Sequence, residues 1–558
     1  MFHVEQSKNN ILMNKIDAKI VDVLRKEIFP ARICYDTHIH SIERLLKAPD
    51  VYIIPGLVDA HIHIESSMMP PSEFARIAVR HGTLAVVTDP HEITNVLGLS
   101  GIDFMINDAT TVPFRFIFGA PSCVPATTFE TAGATLTVND IDKLFFDGKA
   151  SYLSEMMNFP GVVHEDSEVM TKIAVAQKYR KPIDGHAPRL TGEALRRYVY
   201  AGITTDHECT SLVEAEEKIH LGMKIIIREG SAAKNFDALH HLIDKYPAQV
   251  MLCSDDLHPN DLVRGHLDLI LAKGVAKGLD VFSLLRTVTI NPVEHYQIDL
   301  GLVHVGDSAD FIILENLTNF KVLQSFSRGV CLFNRVGEEC INKSTSRQTS
   351  KIYPNLFNAK AITAFDIEVE AISEKMKVIQ VFDGELFTKK IFHKVQKELP
   401  VGSDISADIL KLVVVNRYQP TKPSVAFVRG FDLKHGALVS SVAHDSHHII
   451  AVGCDDVSII QAINHVINIK GGLAASNGNN ILCLKLDIAG LMSSARGEEV
   501  ARIYNKLNEM AFKMGCRLSS PFMTLSFMAL LVIPELKLGE KGLFDVERFE
   551  WTELFDHF

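Results

Sequence analysis

The chain has 558 residues, 47% apolar and 22% charged, a soluble globular composition too long for one ordinary core, so three or four domains are expected. Its net charge of 57 − 68 = −11 comes without a basic cluster, which argues against nucleic acid as a partner. Nine cysteines, odd in number and never spaced C-x-x-C, fit reduced thiols in a cytoplasmic protein better than a disulfide framework or a zinc knuckle.

The N-terminus, MFHVEQSKNN, is polar where a signal peptide carries its apolar segment. The segments KIVDVL and RICYDTHIHSI then read as short strands, and the second carries the pair His38 and His40. A nearly identical pair, His61 and His63, follows the apolar run YIIPGLV. Residues i and i+2 of a strand face the same way, so either pair can grip a metal ion.

From residue 52 a unit repeats: a short apolar run, a polar tip, then a helical segment. The runs are YIIPGLVDAHIHIE, TLAVVTDPHE, FRFIFGAPS, ASYLSEMMN, PIDGHAP, GITTDHECT, KIIIREGS and QVMLCSDDLHP. Strands alternating with helices pair in parallel, and eight such units predict a (β/α)8 TIM-type barrel over residues 55–295. Active sites of such barrels lie at the C-terminal ends of the strands. Those ends carry His61, His63 and Glu65; Asp89, His91 and Glu92; Glu155; His186; His207 and Glu208; Arg228 and Glu229; Asp255 and Asp256. Histidines and carboxylates converging on one mouth describe a site for one or two divalent metals. The pair His61/His63 therefore has partners, whereas His38/His40 precedes the barrel and reads as a solvated strand edge.

Residues 1–54 and 296–345 are expected to pair into a small flanking β-sandwich. The polar stretch NKSTSRQTSK reads as a linker, and residues 346–558 as a C-terminal α+β domain. In that domain the loop SVAHDSHH, with His444, His447 and His448, is expected to complete or cover the barrel mouth, either as a further metal site or as a hydrogen-bonded cluster. The apolar segment FMALLVIPELKLG reads as a buried strand or an oligomer contact, and Trp551 as packing in a terminal helix. No apolar run is long enough to span a bilayer.

The motifs PGLVDAHIHIESSMMPPSEFA, VVTDPHEITNVLG, SEMMNFPGVV, DGHAPRLTG, GITTDHECTS and CSDDLHPNDLVRGH resemble the amidohydrolase superfamily and, more narrowly, its bacterial-type adenine deaminases. The likeness runs on through SSVAHDSHHIIAVG and LDIAGLMS and covers about residues 13–536, so Met13 is a candidate first residue. It implies hydrolysis of adenine to hypoxanthine and ammonia in purine salvage, by a metal-bound hydroxide attacking C6, with two divalent ions: manganese or iron, or zinc. By the same resemblance His61 and His63 bind one ion, His186 and His207 the other, and Glu155 bridges them where relatives use a carboxylated lysine. Asp255 is implied as a metal ligand and as the proton shuttle; by spacing alone Asp256 is its equal, since adjacent strand residues face opposite ways. The acid that meets charge on the purine N1 is left open among Glu65, His91, Glu92, Glu208 and Glu229, with Glu65 sharing the parity of His61 and His63. Arg228 divides between a mouth ion pair and a substrate contact; His91, Glu92, Glu208, Arg228 and Glu229 are the substrate-contact candidates. A homo-oligomer, such as a dimer, is expected, with no membrane partner. Competing readings are a superfamily hydrolase of cyclic amides and a barrel without catalysis.

Overall fold

A strand breaks in two at Gly56, and the break divides two units. In the computed structural model, which describes residues 13–337 and 353–556, β4 (Tyr52–Pro55) ends there and β5 (Leu57–Ile62) begins. A Cβ on Gly56 would sit 2.3 Å from the Leu84 side chain, so glycine here lets the link between the two strands pack closely against Leu84.

On the near side of that break, β1 (Asn14–Asp22), β2 (Glu27–Tyr35), β3 (Ile39–Arg44) and β4 join β13 (Phe311–Leu314), β14 (Val322–Ser327) and β15 (Val330–Asn334). They form one seven-stranded sheet in the order β15-β14-β13-β4-β1-β2-β3, not two stacked sheets. Two strands separate β2 from β13, yet the rings of Tyr35 and Phe311 lie 5.2 Å apart. Flat strands at about 4.8 Å spacing would hold them roughly 14 Å apart. The sheet therefore folds over on itself and encloses its own apolar cluster, including Ala18, Ile33 and Phe326.

On the far side the barrel strands follow: β5, β6 (Thr83–Thr88), β7 (Arg115–Ala120), β8 (Tyr152–Met156) and β9 (Ile183–Gly185) in one parallel sheet. A second parallel sheet holds β10 (Thr205–Asp206), β11 (Lys224–Arg228) and β12 (Val250–Cys253). Backbone contacts meet at both seams. Thr204 N–H donates to Ile183 O at 2.9 Å, and at the other seam Asp255 N–H donates to His61 O at 3.0 Å. The fold is a TIM-like (β/α)8 barrel. Its strands are apolar runs such as Val250–Cys253 because both faces are covered.

The C-terminal part carries an eight-stranded sheet that includes strands Leu410–Val415, Ala437–Ser440 and Ile449–Gly453. Helix Asp456–Ile469 covers one face and helix Gly497–Lys513 the other, each supplying an apolar stripe to a separate cluster. This part is not detached from the barrel: Tyr418, Ile488, Leu491 and Met492 belong to the barrel's own apolar core. Helix Gly497–Lys513 opens against the barrel, where Gly497 N–H donates to Glu73 Oε1 and Arg80 pairs with Glu498 at 2.6 Å.

One expectation changes here. Trp551 lies on strand Glu550–Thr552 against Phe544, not on a helix, because the chain there pairs as a hairpin. The apolar segment FMALLVIPELKLG contains the buried strand Leu536–Gly539, one of its two expected readings, preceded by the short helical turn Phe527–Ala529. The expected linker and the residues before Met13 lie outside the described residues. Among those described, no helix is long and apolar enough to cross a membrane.

Candidate metal centre

The motif Asp59-Ala-His-Ile-His63 places three side chains of one parity along β5 and its end. The lowest, Asp59, works inside the barrel: it accepts from Ser254 N at 3.2 Å and from His266 Nε2 at 2.8 Å, tying β5 to the end of β12. His61 and His63 stand above it, fully buried, with their Nε2 atoms 3.2 Å apart. Asp255 faces both, its Oδ1 lying 3.5 Å from His61 Nε2 and 3.3 Å from His63 Nε2.

Asp255 holds this place at a backbone φ of +52°, a left-handed conformation that costs a non-glycine residue on the order of 1–3 kcal/mol. Bonds to the histidine segment impose it: Asp255 N–H reaches His61 O, and His63 N–H reaches Asp255 O at 3.4 Å. The kink re-aims the tip of β12, so Asp255 and Asp256 both reach the mouth region. Asp256 takes the Ser66 hydroxyl.

Glu155, at the end of β8, divides its two oxygens. Oε1 lies 3.4 Å from His63 Nε2 and 3.5 Å from His91 Nδ1, while Oε2 lies 2.8 Å from His186 Nδ1 and 3.2 Å from His207 Nε2. Burial alone would raise the Glu155 pKa, yet His186 and His207 hold it well below the usual carboxylate range. Asp255 is likewise kept ionised against burial, chiefly by Arg228 and then by His61 and His63. Burial opposes charge on His63, but Asp255 and Glu155 raise its pKa well above the ordinary value. Close-packed imidazoles and carboxylates of this kind are the donor set of a divalent transition-metal site without thiolates. Several three- and four-residue groups have donor atoms within 4.8 Å of one another: His61, His207 and Asp255; Glu155, His186 and His207; His63, Asp89, His91 and Glu155. The residues fit a metal centre.

The remaining candidates divide. Arg228 is committed to ion pairs, meeting Glu208 through both terminal nitrogens and Asp255 Oδ2 at 2.7 Å. Glu208 lies 3.6 Å from both His186 and His207, beside the cluster. Glu229 is the correction: it pairs with Lys273 at 2.9 Å, because the residue after the inward-facing Arg228 must face the outer helices. His91 is less a free substrate contact than a member of the donor groups, held by Asp89 at 3.0 Å. Glu65 accepts from Ile93 N–H with Oε1 while its buried Oε2 has no partner among the described residues, and burial pushes its pKa up to about 7. The decoy pair is solvent-facing: His38 bridges to Ser308 at a sheet edge, and His40 pairs with Asp36.

The C-terminal loop enters the same mouth. His444 Nδ1 lies 2.6 Å from Glu92 Oε1, and His447 Nε2 meets Glu92 Oε2, residues 355 apart in sequence. Asp445 groups with His91 and Glu92, a role the sequence did not expose although its neighbouring histidines stood out.

Comparisons with known proteins show the family of the chain. Residues 52–332 match the amidohydrolase family model, and residues 385–550 match the adenine deaminase C-terminal domain. An adenine deaminase of Methanosarcina mazei is 49% identical over 97% of this chain and all of its own length. One from Sulfurovum is 50% identical over 97% of this chain and 99% of its own. A solved β-aspartyl dipeptidase of Fervidobacterium islandicum aligns with a TM-score of 0.44 at 14% identity, covering 59% of this chain and 98% of that one. The chain belongs to the adenine deaminase family of the amidohydrolases.

Proposed function

We propose that this metal-dependent hydrolase, which deaminates adenine, does so by adding water at C6 over the cluster where β5, β8, β9, β10 and β12 end, giving hypoxanthine and ammonia. The observation that carries the reading is Glu155, which gives one oxygen to the side of His63 and the other to the pair His186 and His207. His61 and His63, with Asp255, would hold one divalent ion; His186 and His207 would hold a second, with Glu155 between them as an unmodified carboxylate. Manganese or iron suits this mixed imidazole–carboxylate set, and zinc fits it as well. Ions bound there supply a water acidified from a pKa near 15.7 to about 7.

The protein's own groups do the rest. Asp255, kept ionised by Arg228, takes a proton from the attacking water and delivers it to the departing amine. As the C6–O bond forms, electron density moves onto N1. Glu65, whose pKa near 7 keeps much of it protonated at neutral pH, meets that charge with a proton. The C6–N bond then breaks, ammonia leaves, and the second water proton passes from the C6 hydroxyl to the Glu65 carboxylate as the carbonyl of hypoxanthine forms. His444 and His447 hold Glu92, and with it the helix start that carries His91, so the C-terminal domain completes the mouth. In this division of labour the unit of residues 1–54 and 296–345 braces the barrel of 55–295, and 346–558 walls its open end.

Ammonia release from adenine, compared with ring opening of a dihydropyrimidine or hydantoin, tests the reading. Release from adenine alone is expected; ring opening without ammonia from adenine would overturn it.

A further inference from the structure

Buried polar atoms in folded proteins are almost always paired, so a concentration of unpaired ones marks a place prepared for something polar. Beside the metal centre such atoms gather from three distant segments. Glu130 Oε2, Asp445 Oδ2, Ser446 Oγ, His448 Nε2 and Glu540 Oε2 are all buried without a hydrogen bond among the described residues, although His448 Nε2 and Glu540 Oε2 face each other at 3.6 Å. Each of the five side chains belongs to a residue at most 7% exposed.

The patch is contiguous with the site. Asp445 offers a carboxylate oxygen within 4.8 Å of His91 and Glu92. The loop bearing Glu130 is tied to the helix of those two residues, since Gly133 N–H and Ala134 N–H donate to Asn95 O at 2.7 and 3.2 Å. It is tied to the far wall as well: Thr131 N–H donates to Glu540 Oε1 at 2.8 Å. Tyr418 OH donates to Ser446 O at 2.6 Å and fixes the C-terminal loop against it.

We propose that Glu130, with Ser446 and Asp445, forms the subsite that receives the five-membered-ring edge of the purine and selects a free base over an N9-substituted one. This rests on the reading of the site as an adenine-deaminating centre. The chemistry of the edge is specific: a free purine presents an N–H donor at N9 beside an acceptor at N3. A protonated carboxyl group presents an O–H donor beside a carbonyl acceptor, the complementary pair. Burial, and after it the charges of Asp445 and Glu540, raise the Glu130 pKa well above the usual carboxylate value against the pull of the Ser446 hydroxyl, and this favours the protonated carboxyl. A glycosyl or methyl group at N9 removes the donor and leaves these buried groups unpaired, the case in which polar sites discriminate most strongly.

The test is binding and turnover by the metal-loaded full chain with adenine, 9-methyladenine and the products hypoxanthine and 9-methylhypoxanthine. Calorimetry should show hypoxanthine binding and its 9-methyl derivative failing to bind. Glu130→Ala should raise KM for adenine by about 10–100-fold with a smaller change in kcat and unchanged metal content, and should shrink the preference for adenine over 9-methyladenine. Glu130→Gln, which keeps a donor beside an acceptor, should stay within about tenfold of wild type. If Glu130→Ala does not fold, Ser446→Ala carries the same test and should also raise KM. An active wild type whose Glu130 and Ser446 variants retain both KM and the preference for the free base would overturn the subsite alone. A wild type that neither deaminates adenine nor binds hypoxanthine would overturn the functional reading beneath it.

Discussion

Asp255 shows how much one side chain is asked to do. It meets His61 and His63 on one side and Arg228 on the other, from a left-handed backbone conformation held by two bonds to β5 and its end. Asp255→Asn should keep the fold and the ion on the His186/His207 side yet lower kcat by roughly 10²–10⁴, the usual share of a general acid–base group, read from turnover beside elemental analysis. A variant with near-wild-type kcat would move the shuttle elsewhere, and Asp256 is the nearest alternative. The two His-x-His pairs make a second contrast at this scale. His38→Ala with His40→Ala should leave metal content intact, because both rings lie exposed at a sheet edge, while His61→Ala with His63→Ala should abolish tight binding. Equal losses in the two double variants would refute the argument from strand context. If two ions share Glu155 as proposed, Glu155→Gln removes their common anion, so at most about one ion per chain should remain tightly bound.

Among the elements, the barrel strands were legible in the sequence because buried parallel strands are short apolar runs with polar tips, and eight of them recur with helical segments between them. Which tip residue faces inward was less legible. Period-two parity separates Arg228 from Glu229 once the strand's facing is known, but the kink at Asp255 breaks that rule and leaves Asp255 and Asp256 both near His63. The fold-over of the seven-stranded sheet was hidden for another reason, since one continuous sheet and two stacked ones have the same alternation of apolar residues. Helix Gly497–Lys513 docks on the barrel through Glu498, whose pKa is held down to about 2 by Arg76 and Arg80 although burial opposes the charge. A depressed carboxylate contributes stability above its unfolded pKa of about 4.5 and loses it as pH falls toward 2. Thermal unfolding of wild type should therefore lose more stability than Glu498→Gln between about pH 5 and 3, by a modest margin because the group is partly exposed. Parallel losses in the two proteins would show that this contact carries no pH dependence.

For the whole molecule, the candidate site is a product of long-range closure. His444, Asp445 and His447 reach the barrel mouth from a domain that also shares the barrel's core through Ile488, Leu491 and Met492. The sequence displayed the histidine-rich loop plainly, but no local pattern says that it packs on Glu92, a residue 355 positions away. Replacing His444 and His447 together by Ala should lower turnover by about 10–100-fold while the barrel histidines keep their metals, since the loss falls on the orientation of Glu92 and His91. The central claim, two ions acting as one hydrolytic centre on adenine, is tested most directly by titrating metal-free protein with manganese or iron and following ammonia release from adenine. The account predicts hypoxanthine as product and activity that rises to a plateau at two equivalents per chain. Full activity at one equivalent, or two bound ions with adenine untouched and a cyclic amide hydrolysed, would contradict it.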